Sequence, residues 1–163
     1  MRILGIDPGS LFTGYGVVDY DGQRLGHVTS GCIRVAGSDF RTRLRGIFQG
    51  VGKVLAEFAP GELAVEKAFV HKNADSALKL GQARAAAICA TLAADLPLYE
   101  YTPREVKLAL TGKGGADKLQ VQHMVKILLG LQGRMQADSA DALAVAICHA
   151  HSRRLRQQLG SAR

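Results

Sequence analysis

A chain of 163 residues, 47% of them apolar, has the length of one ordinary domain and can bury one core, which excludes a disordered polymer. Its 21 Lys and Arg against 14 Asp and Glu leave a formal charge of +7, a balance that favours a polyanionic partner, nucleic acid first. A charge kept only for solubility is the alternative on composition alone, and no apolar run approaches the roughly 20 residues of a spanning helix.

The N-terminus enters a strand at once, without the basic, apolar, small-residue succession of an export signal, so a cytoplasmic protein is expected. Cys32, Cys89 and Cys148 are far apart in apolar surroundings and read as buried thiols, not as a disulfide framework or a zinc knuckle. Arg2 to Asp7 is a short apolar strand ending in Pro8-Gly9, and Gly14 to Tyr20 is a second. Asp21-Gly22 is a hairpin dipeptide, and Arg24 to Val35 supplies a third, antiparallel strand.

From Phe40 the apolar positions Leu44, Ile47, Phe48, Val51, Val54, Leu55 and Phe58 recur at steps of three and four, a helix ended by Pro60-Gly61. Leu63 to Glu66 is a buried strand, Asn73 to Ala94 an Ala/Leu-rich helix, and Pro97 to Tyr101 another short strand. The small apolar residues of that helix suit either a face shared between the sheet and a second subunit or a wholly internal position. Thr102-Pro103-Arg104-Glu105 starts a short helix with a capping hydroxyl, a first-turn Pro and a Glu three residues after the cap. Thr111 to Ala116 is a glycine loop, Asp117 caps a helix to about Leu129, and a last helix covers about Ala137 to Leu155. The pattern predicts an α/β domain with a mixed five-stranded sheet, an antiparallel meander then parallel strands, and helices on both faces. One domain over residues 1–152 and a basic, flexible tail over 153–163 complete the expectation.

Asp7 ends a buried strand, on the side where open α/β sheets place ligands, although alone it reads as readily as a cap on the Pro8-Gly9-Ser10 turn. Glu66 repeats the arrangement on a strand that the βαβ pattern sets beside the first, with a surface Glu as the bland alternative. Asp138 and Asp141 share a helix face, their β-carbons roughly 5 to 6 Å apart, where Asp138 also suits a capping role. Four carboxylates without a His or Cys cluster suit magnesium, with manganese as substitute, rather than zinc. Two such ions, about 3.5 to 4 Å apart, would activate water and stabilise the leaving oxygen of a phosphodiester. An acidic pocket within a basic protein is the arrangement expected of a nuclease.

More specific are Gly5-Ile6-Asp7-Pro8-Gly9-Ser10 with Thr13-Gly14-Tyr15-Gly16, Ala64-Val65-Glu66, Lys72 to Arg84, Gln120 to Val125, and Gln136-Ala137-Asp138 with Ala140-Asp141-Ala142-Leu143-Ala144. In that order, over about residues 1 to 151, the chain resembles the bacterial RuvC Holliday-junction resolvases. The resemblance implies a ribonuclease H-like fold, a homodimer, and symmetric nicking of two opposing strands of four-way junction DNA in recombination and repair. It also implies two magnesium ions held by Asp7, Glu66, Asp138 and Asp141, and work alongside a branch-migration motor and its junction-binding scaffold. Lys107 and Lys118 match basic residues of the family near the scissile phosphate, and Arg104 and Lys113 add charge in the same region. Phe69, three residues beyond Glu66, suits stacking on an unpaired base, or else anchoring its loop to the core; the resemblance favours stacking. The loop at Thr111 to Ala116 lacks a Walker arrangement, since Gly114 follows Lys113, and His123, His149 and His151 read as structural or surface residues.

Two other classes share parts of this pattern. A nucleotide-binding ATPase of the sugar-kinase and actin type opens similarly but needs a second lobe that this length does not supply. A non-catalytic junction binder would not need the intact set of carboxylates.

Overall fold

The computed structural model describes residues 1–35, 39–67 and 73–160. Five strands, β1 (Arg2–Asp7), β2 (Phe12–Tyr20), β3 (Leu25–Arg34), β4 (Glu62–Glu66) and β5 (Leu98–Tyr101), form one sheet in the order β3-β2-β1-β4-β5. The hairpin β1-β2-β3 is antiparallel, while β4 and β5 run parallel to β1. Parallel neighbours need crossovers, and two helices supply them: α1 (Phe40–Phe58) between β3 and β4, and α2 (Ala74–Leu92) between β4 and β5. α3 (Pro103–Thr111), α4 (Lys118–Leu129) and α5 (Ala137–Gly160) follow.

Alternation along the strands divides the apolar residues between two cores. Leu4, Ile6, Val17, Leu63 and Val65 pack against α1 and α2. Ile3, Val18, Ala64 and Tyr101 pack against α3, α4 and α5. The sheet is thus covered on both faces, as its near-continuous apolar strands require.

Local signals act where the sequence places them. Asp39 caps α1, and Ala59 in the left-handed region (φ 44) ends it ahead of Pro60. Thr102 with Glu105 and Asp117 with Gln120 each complete a reciprocal capping box, on α3 and α4. α5 continues to Gly160, past the expected stop near Leu155, so the segment read as a tail from residue 153 is helical to that point.

One expectation is corrected. Cys89 is exposed, because it faces outward on α2; Cys148 is buried and Cys32 lies between. α2 is not wholly internal: Ala83, Ala87 and Ala90 are buried, but Leu78 and Leu92 are 61% and 66% exposed.

The closest approach in the fold is between α5 and the hairpin. A β-carbon on Gly5 would stand 2.1 Å from the Ala142 carbonyl oxygen, and one on Gly14 2.0 Å from that of Asp138. Only glycine lets the helix lie so low on the sheet. This seating brings the first turn of α5 over the ends of β1 and β4.

Candidate active site

The site stands on one cross-strand row of the sheet. Asp7 pairs with Gly14, and Gly14 with Cys32, while the β1-β4 register that pairs Ile6 with Val65 brings Glu66 beside Asp7 one residue on. Glu66 in turn pairs with Tyr101. Both acids face α5, whose first turns supply Asp138 and Asp141. Folding therefore gathers four carboxylates from three elements that are far apart in sequence.

Their mutual repulsion is visible in their acidity. Burial, then the charges of Glu66, Asp141 and Asp138, push the Asp7 carboxyl up to about 7, against a partial counter-effect from Lys118. Burial and the Asp141 charge raise Glu66 as well, and Lys107 and Lys118 oppose that rise. Asp138 accepts a weak hydrogen bond from the Cys32 thiol, 3.9 Å away.

The ammonium of Lys118 donates to Asp141 Oδ2 at 2.6 Å, and that hydrogen bond, with the charges of Asp141, Asp7 and Asp138, raises the lysine's own pKa. Lys118 opens α4, where the helix dipole disfavours a cation. Its position is explained by the acids in front of it, not by the helix. Lys107, half-buried on α3, lines the same cleft of about 220 Å³ with Glu66, Asp141, Lys118, Val106 and Val121.

Among the described residues no three acid, imidazole or thiol groups are arranged to hold an ion as they stand; Lys118 instead provides a positive charge at Asp141. The donor set still suits a hard divalent cation: oxygen ligands only, partly buried, with an ionisation cost that a cation would relieve.

The eight described residues of the expected site do not all converge. Asp7, Glu66, Asp138, Asp141, Lys107 and Lys118 do. Arg104 and Lys113 are exposed and do not line the cleft; Arg104 instead lies along the backbone at Gly114. Phe69 lies outside the described residues.

A second cleft, of about 390 Å³, was not foreseen. Phe12, Cys32, Arg34, Gln136, Ala137 and Asp138 line it on the other side of the acids. The register pair Phe12 and Arg34, both exposed, forms one wall. An apolar residue opening a strand beside a turn was the available signal.

The profile of the family described as Crossover junction endodeoxyribonuclease RuvC matches residues 3–149. The Crossover junction endodeoxyribonuclease RuvC of Methylococcus capsulatus is 60% identical over 152 residues, covering 93% of this chain and 92% of the relative. Its namesake from Pseudoalteromonas translucida is 57% identical over 150 residues, covering 92% and 86%. Among solved structures, Thermus thermophilus RuvC in complex with Holliday junction substrate superposes with a TM-score of 0.89 at 35% identity, covering 96% of each chain.

Proposed function

The chain belongs to the RuvC family of crossover junction endodeoxyribonucleases, and from that membership and the gathered acids we propose that it resolves four-way DNA junctions by metal-dependent hydrolysis of phosphodiesters. The observation that carries the reading is the convergence of Asp7, Glu66, Asp138 and Asp141 beside two lysines. The finer proposal is magnesium, two ions per site, with manganese as substitute. The ions, when bound, would supply Lewis acidity and lower the pKa of the attacking water.

In this reading the protein groups have separate tasks. Asp7 and Glu66, side by side at the strand ends, would hold the cation from the sheet, and Asp138 and Asp141 from α5. Lys107 and Lys118 neutralise and orient the scissile phosphate, so that substrate geometry is set before bond cleavage. Lys118, paired with Asp141 in the absence of metal, would be released to the phosphate where a cation took up that carboxylate. Phe69 is assigned to stacking on a base at the crossover, and Arg104 and Lys113 to flanking backbone phosphates.

Symmetric cutting of two opposing strands calls for two such sites, and a homodimer provides them. The domain is assigned to residues 1–152, and the basic segment from 153 continues it in α5 as far as Gly160. A cytoplasmic protein handing junctions over from a branch-migration motor and its scaffold completes the proposal. No described helix is long and apolar enough to cross a membrane.

The test is cleavage of a synthetic four-way junction with magnesium, run beside Asp7→Asn. The parent is expected to give paired nicks in opposing strands, and the variant to bind the junction and cut none. Tight binding without nicks by the parent would instead identify a non-catalytic junction binder, and equal nicking by Asp7→Asn would remove Asp7 from the site.

A further inference from the structure

At the opposite end of β4 from Glu66, a second polar cluster lies inside the protein. Glu62, the first residue of the strand, is buried, and its Oε2 is 2.6 Å from Nε2 of His149, which is 1% exposed. The Tyr101 hydroxyl is 2.7 Å from His149 Nδ1, the Tyr99 ring lies 4.3 Å from the imidazole centroid, and Arg153 pairs with the other oxygen of Glu62. With Nε2–H donating to the carboxylate and Nδ1 accepting from the phenol, both ring nitrogens are satisfied. Nothing in the cleavage chemistry uses this cluster, and its histidine is sealed from solvent.

Its placement relates it to the acids. Glu62 and Glu66 are four residues apart on one face of β4, about 13 Å; His149 and Asp141 are eight apart on α5, about 12 Å. Glu62 hydrogen-bonds His149 at one end, whereas at the other Glu66 and Asp141 only face one cleft and repel each other, so helix and strand are bonded at the Glu62 end alone. Tyr101 joins the two ends, because it is the sheet partner of Glu66 while its hydroxyl reaches His149.

Between these points the interface is smooth. Ala142 and Ala146 rest on Gly5, and Ala140, Ala144 and Ala150 are also buried along α5. Small residues on a glycine trough determine how low a helix lies but resist sliding along its axis only weakly; directional hydrogen bonds resist it strongly. Leu143 over Gly16, Val145 and Ile147, all fully buried, are the bulkier apolar members of α5 there. A slide of one ångström would carry Asp138 and Asp141 out of line with Asp7 and Glu66.

We propose that the buried Glu62–His149–Tyr101 cluster is a positioning device that sets the axial register of α5 and thereby the spacing of the carboxylates that hold the cation. These residues touch neither substrate nor metal. The inference rests on the nuclease reading above and adds residues to it.

The experiment compares the full-length parent with Glu62→Leu/His149→Leu, Tyr101→Phe and Glu62→Gln. Manganese affinity is read by electron paramagnetic resonance titration, and kcat, KM and thermal midpoint are measured on a synthetic four-way junction and on the free protein. Replacing a buried polar pair by apolar residues of similar size preserves stability in many proteins, so the double variant separates register from folding. It is expected to keep its thermal midpoint and KM, bind manganese at least tenfold more weakly, and lose at least tenfold in kcat. Tyr101→Phe, which removes one hydroxyl, is expected to lose about threefold in both quantities, and Glu62→Gln, which keeps an acceptor for His149, to restore parental values.

Parental manganese affinity and kcat in the double variant would overturn the proposal. Should that variant fail to fold, parental values in Tyr101→Phe would overturn it equally. A parent that cuts no junction would sink the nuclease reading instead, a result that these variants do not share.

Discussion

Asp7 is a residue whose charge its surroundings disturb strongly, and the disturbance has a definite sign. Folded and free of metal, its carboxyl holds a proton up to about pH 7; unfolded, it releases that proton near pH 4. This proton binding stabilises the metal-free fold fully below about pH 4, and the contribution is lost as the pH rises through 7. In a chelating buffer the parent should therefore lose stability between pH 5 and pH 8, whereas Asp7→Asn should lose much less. At pH 8 the variant should be the more stable by about 2 kcal/mol, because a neutral amide ends the repulsion with Glu66 and Asp141. Matching pH slopes in chemical denaturation of the two proteins would show that the acids are not coupled. Cations act on the same equilibrium, so the acid limb of the nicking profile should move to lower pH as magnesium is raised.

Lys118 offers an opposite kind of test. Its ammonium competes with a cation for Asp141, so Lys118→Ala should bind manganese several-fold more tightly while cutting on the order of a hundredfold more slowly. Manganese titration alongside single-turnover cleavage checks both, and weaker manganese binding by the variant would contradict the competition. Neither the ion pair nor its consequence was legible in the sequence, since Lys118 follows Asp117 and reads first as part of a helix start. The acids were legible individually: Asp7 and Glu66 each end an apolar run, and Asp138 and Asp141 share a spacing of three. The βαβ pattern indicated that Asp7 and Glu66 converge, and the β1-β4 register sets them side by side; the seating of α5 that brings Asp138 and Asp141 to them has no such local signal.

At the scale of elements, the contact between α5 and the hairpin controls everything above it. Gly14→Ala would place a methyl group on the Asp138 carbonyl, and the helix would have to rise from the sheet. The expected outcome is a loss of about 2 to 4 kcal/mol in urea denaturation, together with much weaker manganese binding. Stability unchanged from the parent would mean that the helix does not lie as low as described. Gly5, Gly14 and Gly16 appear in the sequence only as strand glycines, which signal close backbone approach without naming the partner. Helix starts were easier, because Thr102-Pro103-Arg104-Glu105 carries its whole cap within four residues and Asp117 marks the start of α4. The second cleft at Phe12 and Arg34 escaped notice because it joins residues from β2, β3 and α5 that share no local pattern.

Across the whole molecule, the charge of +7 coexists with an acidic centre, so long-range attraction and local repulsion of DNA oppose each other. Junction affinity should fall at least tenfold between 50 and 200 mM salt, as expected once about two or more phosphates are neutralised. Removing Lys107 should flatten the log–log slope by about 0.9, the share of one phosphate contact. Filter-binding isotherms at several salt concentrations measure that slope, and an unaltered slope would place Lys107 away from the backbone.

The order in which the acids enter the fold also matters for synthesis. Two come from strands made within the first 66 residues, and two from a helix that begins only at residue 137. A nascent chain still emerging from the ribosome carries only half of these acids, so the four-carboxylate centre cannot assemble until α5 has been made.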